Sequence, residues 1–138
     1  MTDLLVDTSV VSIVFKGHSL AERNTAELRG RRLHVSFMTI AELRLWGLLR
    51  NWSKRRIDSL DQALRSYVVL GFDDQTAWRW AEIAAHERQS GRNRHDRGDW
   101  WIAACALRHG MPLVTHNPSD FIGIPNLQVI SHPDDPPA

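Results

Sequence analysis

The stretch Leu4-Leu5-Val6-Asp7-Thr8-Ser9 holds the key to the fold. Three apolar residues run directly into a carboxylate. Two hydroxyl side chains follow, and then the apolar run Val10-Val11-Ser12-Ile13-Val14-Phe15. The pattern predicts a short buried strand, a tight turn and a helix, with Thr8 or Ser9 as the helix cap. An acid at the carboxyl end of a buried first strand is costly to desolvate. In parallel-sheet proteins that position faces the crevice where ligands bind.

Outward from this start, strands and helices alternate. Leu33, Val35 and Phe37 alternate with His34 and Ser36 as a second strand, after a helical stretch over 20–30 that ends at Gly30. Ile40, Leu43, Gly47 and Leu48 keep helical spacing, with Thr39 as cap and Glu42 three residues on. Ser53 caps a further helix to about Ser66. Residues 67–72 form a third strand, 73–89 a long helix and 96–109 another, stopped by Gly110 and Pro112. Strands at 113–115 and 127–130 complete the count. Such alternation implies an α/β domain of three layers, a mainly parallel central sheet of about five strands flanked by helices. The domain is expected to span residues 1–131, followed by a flexible proline-rich tail over 132–138.

Composition excludes several classes. The 138 residues are 43% hydrophobic, enough for one compact core. No run approaches the 20 or so apolar residues of a membrane span, and no charged leader precedes the first strand, so a soluble, cytoplasmic protein is expected. The one cysteine, Cys105, lies in an apolar run and reads as core. The net charge of +1 balances 17 basic against 16 acidic residues. Three arginine-rich groups stand out: Arg29-Arg31-Arg32, Arg50 to Arg56, and Arg88 to Arg97. A place near a helix C-terminus suits Arg29 and Arg50. In the third, Arg92, Arg94 and Arg97 precede Asp99 in a polar loop, where they are candidates for RNA phosphate.

Three acids, Asp7, Glu42 and Asp99, border apolar segments. Gathered in one crevice, they would repel one another unless protonated or bridged by a cation, for which Mg²⁺ or Mn²⁺ is the natural choice. Glu42 and Asp99 also have ordinary readings: Glu42 as partner in a capping box with Thr39, and Asp99 as an acid in the first turn of a helix capped by Asp96. Asp7 has no such obvious explanation.

Four segments occur in order: Leu4 to Ser9; Ser36-Phe37-Met38-Thr39-Ile40-Ala41-Glu42-Leu43; Asp99-Trp100-Trp101-Ile102-Ala103-Ala104-Cys105-Ala106 on to Gly110; and Leu113-Val114-Thr115-His116-Asn117-Pro118-Ser119-Asp120-Phe121. Together they resemble the successive motifs of PIN-domain ribonucleases, and in length the chain is similar to the VapC toxins of VapBC toxin–antitoxin pairs. The resemblance implies a metal-dependent endoribonuclease acting as the toxin of a type II pair. It implies tRNA or rRNA as substrate, products with 5′-phosphate and 3′-hydroxyl ends, a cognate VapB-type antitoxin, and homodimers within toxin–antitoxin hetero-oligomers. It also implies that Asp7, Glu42, Asp99 and Asp120 are the catalytic, metal-binding acids, with Mg²⁺ (or Mn²⁺) as cofactor. Thr8, Ser9, Thr115 and Asn117 match polar positions that support these acids or contact phosphate. The alternative is a catalytically inactive PIN-fold module that binds RNA or protein.

Six tryptophans are many for this length. Trp100 and Trp101, being adjacent, point to different sides of their helix, one into the core and the other toward a neighbouring helix or a partner. Trp46 and Trp52 with Leu45, Leu48 and Leu49 suggest core or a protein interface. A phospho-acceptor domain would need a late lysine, and none follows Lys54. Seven scattered histidines give no acid–base pair for metal-free RNA cleavage.

Overall fold

In the computed structural model, residues 3–17, 28, 30–92, 94 and 98–131 are described. The strands are β1 (Asp3–Val6), β2 (Arg32–Ser36), β3 (Val68–Leu70), β4 (Leu113–Val114) and β5 (Val129–Ile130). The helices are α1 (Thr8–Phe15), α2 (Phe37–Leu49), α3 (Lys54–Leu64), α4 (Asp74–Gln89) and α5 (Asp99–His109), with a 3₁₀ turn at Pro118–Phe121. The sheet order is β3-β2-β1-β4-β5, with every pairing parallel. The helix expected at 20–30 falls largely outside the described residues, as do the tail at 132–138, Asp96 and Arg97.

The central strand explains the architecture. Leu5 pairs with His34 of β2 on one side and Leu113 of β4 on the other, so β1 is flanked by strands and covered on both faces. Successive side chains alternate between those faces. Leu5 packs with Ile83 and Ala84 of α4 and with Ile102 to Ala106 of α5. Val6 packs with Val10 and Val11 of α1, Leu43 of α2, and Leu60 and Leu64 of α3. Two apolar cores therefore sandwich one sheet, giving the three layers that alternation predicts. In α5, Ala103, Ala104, Cys105 and Ala106 are wholly buried. Burial raises the Cys105 thiol pKa, which suits a packing role.

Five of the six tryptophans divide between core and aromatic contacts, while Trp78 is exposed. Trp100 is buried, while Trp101 stacks on Trp80 of α4 at 5.2 Å and meets Phe37 and Phe72 edge-on. Trp46 and Trp52 pack against the α1–α3 core, with Arg50 over Trp46 and Arg56 over Trp52. Those arginines cover aromatic faces as well as sitting near helix ends.

Candidate active site

The first functional side chain is set by the strand-to-helix turn. Asp7 follows β1, and its amide donates to the Val114 carbonyl at 3.0 Å, extending the β1–β4 ladder by one step. Asp7, rather than Thr8 or Ser9, caps α1: its Oδ1 accepts from the Val10 amide at 3.3 Å. The expected cap is thus displaced by one residue, and the acid that lacked an ordinary role has one. Capping accounts for only part of its environment. The Ser9 hydroxyl donates to Oδ1 and the Thr115 hydroxyl, arriving from the end of β4, donates to Oδ2, both at 2.5 Å. Both hydroxyls are themselves fixed, because Ser9 Oγ accepts from the His116 amide at 3.2 Å and Thr115 Oγ1 from the Asn117 amide at 2.9 Å. Their protons are directed at Asp7.

Asp7 is only 5% exposed, and burial raises its pKa, opposed by the Ser9, Thr115 and Val10 hydrogen bonds and by the nearby His116. A cap contributes about 1 kcal/mol, whereas burying a carboxylate whose partners are neutral costs more. Three hydrogen bonds among the described residues leave part of the carboxylate's roughly four-site acceptor capacity unused.

Glu42 joins through Thr8, whose Oγ1 lies 3.0 Å from both Glu42 Oε1 and the buried Thr39 hydroxyl. The capping-box reading of Glu42 does not hold. Ser36 caps α2, accepting from the Met38 amide at 3.0 Å, so Thr39 lies within the first turn and Glu42 in the second. The cap stands earlier because β2 runs directly into α2 without a loop.

Asp99 is the first residue of α5, and Gly98 at φ +100° is the cap. The helix therefore starts three residues later than expected, and Asp99 is not a first-turn partner of an Asp96 cap. Gly98 is favoured here by its left-handed conformation, and a Cβ on it would press on Met38 Cγ at 3.1 Å and lie in ordinary contact with Glu42 Oε1 at 3.5 Å. The start of α5 thus packs against the carboxylate of Glu42. Asn117 precedes the 3₁₀ turn that carries Asp120, and the Asp120 amide donates to the Asn117 carbonyl at 3.1 Å.

Two hydrogen-bonded sets thus meet at the Asp7–Thr8 peptide, one joining Asp7, Ser9, Thr115 and the Asn117 backbone and the other joining Thr8, Thr39 and Glu42, while Asp99 is placed beside Glu42 through Gly98. Asp120 is connected to them through the turn after Asn117. Among the described residues no three His, Cys, Asp or Glu side chains converge as a ready metal cage. Mg²⁺ does not require one, since it keeps several waters and takes one or two carboxylates directly. The donors are hard oxygens, and their most buried member has neutral hydrogen-bonding partners, so the set fits such a cation.

Two residues, Glu87 and His116, were missed in the sequence. Arg92 and Arg94 both pair with the buried Glu87 of α4. His116 is buried beside Asp7, and its only sequence signal was its place between Thr115 and Asn117.

The chain matches the PIN domain over residues 4–126. It belongs to the PIN-domain family. Ribonuclease VapC4 of Mycobacterium tuberculosis is 31% identical to it over 131 residues, covering 92% of this chain and 95% of that protein. The structure of VapBC-1 from nontypeable Haemophilus influenzae superposes with a TM-score of 0.79 at 27% identity, covering 94% of this chain and 98% of that one. VapBC2 from Rickettsia felis, bound to a promoter DNA fragment, gives a TM-score of 0.84 at 21% identity over 95% and 99% of the two chains, which speaks to the fold alone.

Proposed function

We propose that the chain is a Mg²⁺-dependent endoribonuclease, the toxin of a type II toxin–antitoxin pair. The observation that carries this reading is Asp7: a buried carboxylate at the end of the central strand, fixed by the hydroxyls of Ser9 and Thr115 and one residue from the Thr8 link to Glu42. Asp7, Glu42 and Asp99 would hold the cation, with Asp120 in support. When bound, the cation activates water for attack on a phosphodiester and stabilises the leaving oxygen. Ser9 and Thr115 hold Asp7 in one orientation, Thr8 does the same for Glu42, and Gly98 lets α5 approach closely enough to present Asp99. Intact acids at all four positions disfavour an inactive binding module.

Kinship with VapC ribonucleases and likeness to VapBC complexes support a cognate VapB-type antitoxin as partner. Leu45, Leu48 and Leu49 form an exposed apolar face on α2 suited to a protein partner, whether antitoxin or second copy. No helix among the described residues is long and apolar enough to cross a membrane, which accords with action on cytoplasmic tRNA or rRNA. Sequencing RNA 5′ ends after induced expression tests the proposal. New 5′-phosphate ends at defined tRNA or rRNA sites, absent with Asp99→Asn, are expected; identical end profiles for the two proteins would contradict it.

A further inference from the structure

Glu87 is 2% exposed, on a helix face that otherwise buries Ile83 and Ala84. A carboxylate so covered from solvent is retained only when compensated. Its compensation comes from downstream in sequence: Arg92 Nη2 donates to Oε1 at 2.7 Å, Arg92 Nε donates to the same oxygen at 3.1 Å, and Arg94 Nη2 also donates to Oε1. The turn between helix and arginines is itself tied down. Ser90 Oγ donates to the Glu87 carbonyl at 2.7 Å and accepts from the Arg92 amide at 3.1 Å.

The Arg92 guanidinium also reaches the segment just after the 3₁₀ turn. A Cβ on Gly123 would come within 2.6 Å of Arg92 Nη2, so the guanidinium lies directly on that glycine's backbone, where φ is +82°. Gly123 follows Asp120 by three residues. Glu87 therefore holds Arg92 against the segment that leaves Asp120.

We infer that Glu87, with Arg92 and Arg94, is a clamp that positions Asp120 for the cation, and that its arginines serve the metal site rather than RNA. This deepens the metal-site reading above and rests on it. Neutralising Glu87 would leave two guanidiniums facing each other without their shared anion, and Arg92 would lose its hold on the Gly123 segment. Glu87 is a positioning residue, since no contact joins it to the acids themselves among the described residues.

The test is Mn²⁺ binding to the metal-free full-length protein, followed by the electron paramagnetic resonance of free Mn²⁺, with the Mg²⁺ midpoint for RNA cleavage measured in parallel. Glu87→Gln and Arg92→Gln are compared with wild type and with Asp7→Asn. Wild type should bind Mn²⁺ and Asp7→Asn should not. Both clamp variants should bind about 10-fold more weakly and shift the Mg²⁺ midpoint by a similar factor, as groups that orient metal ligands do. A merely structural role would lower the melting temperature and leave Mn²⁺ affinity and the Mg²⁺ midpoint unchanged, which would overturn the clamp alone. Absence of Mn²⁺ binding by wild type would overturn the metal site and the clamp with it. Should Glu87→Gln not fold, Arg92→Gln decides, because it keeps the Glu87–Arg94 pair.

Discussion

Asp7 combines two roles that conflict energetically. As a cap it is favourable; as a buried carboxylate with neutral partners it is not. Its folded pKa is raised above the ordinary 3.8, so between that value and the raised one the folded protein holds more protons than the unfolded chain. Metal-free stability from this group therefore falls as pH rises through that window. Asp7→Asn removes this dependence, and without metal it should melt at or above the wild-type temperature at pH 7, with the difference shrinking toward pH 4. RNA cleavage should fall by more than about 100-fold, beyond what losing a mere supporting group costs. Thermal scans across pH check the first outcome and rate measurements the second. Asp120 and Asn117 separate by charge. Asp120→Asn should raise the Mg²⁺ midpoint by about 10-fold, whereas Asn117→Ala, which keeps the backbone bond to Thr115, should change it less. An unchanged midpoint in Asp120→Asn would remove Asp120 from the metal site.

At the scale of elements, the strand–helix order and the parallel sheet were legible because a buried parallel strand reads as a continuous apolar run, as Leu4-Leu5-Val6 does. Helix starts were less so. Asp7, Ser36 and Gly98 cap where Thr8 or Ser9, Thr39 and Asp96 were expected. Each true cap stands upstream or downstream of an equally suitable residue, and the choice is made by where the strand ends or where Met38 leaves room, which are tertiary facts. Glu87 was illegible for a related reason: a glutamate within a long helix looks solvated until its cations fold back on it. Asp73 is a plainer junction. It caps α4 through the Thr76 amide and hydroxyl, both at 2.8 Å, and its Oδ2 accepts from Arg108 near the end of α5 at 3.0 Å. The Thr76 bonds, with Arg108, hold its pKa at about 2. Its contribution to stability is then present above the ordinary carboxylate value and lost as pH falls through about 2. Asp73→Asn should melt below wild type at pH 7, and the gap should close on acidification to pH 2; a gap that persists there would show that the charge is not its source.

Across the whole molecule, strand order places the site. The helices after β1 and β2 pack on one face of the sheet, and α4 and α5, between β3 and β4, pack on the other. The change of face falls between β1 and β4, the position beyond whose strand ends open parallel sheets bind ligands. Asp7 leaves β1 and Thr115 leaves β4 at that point, and their hydrogen bond spans it. The same topology delivers Glu42 from the helix following β2 and Asp99 from the helix preceding β4. The central claim is that these carboxylates cleave RNA through a divalent cation. Its most direct test is incubation of the purified chain with total cellular RNA after exhaustive chelation, followed by graded return of Mg²⁺. The account predicts no cleavage under chelation and recovery of the same fragments as Mg²⁺ is restored; identical fragments formed at the same rate in the chelated sample would contradict it.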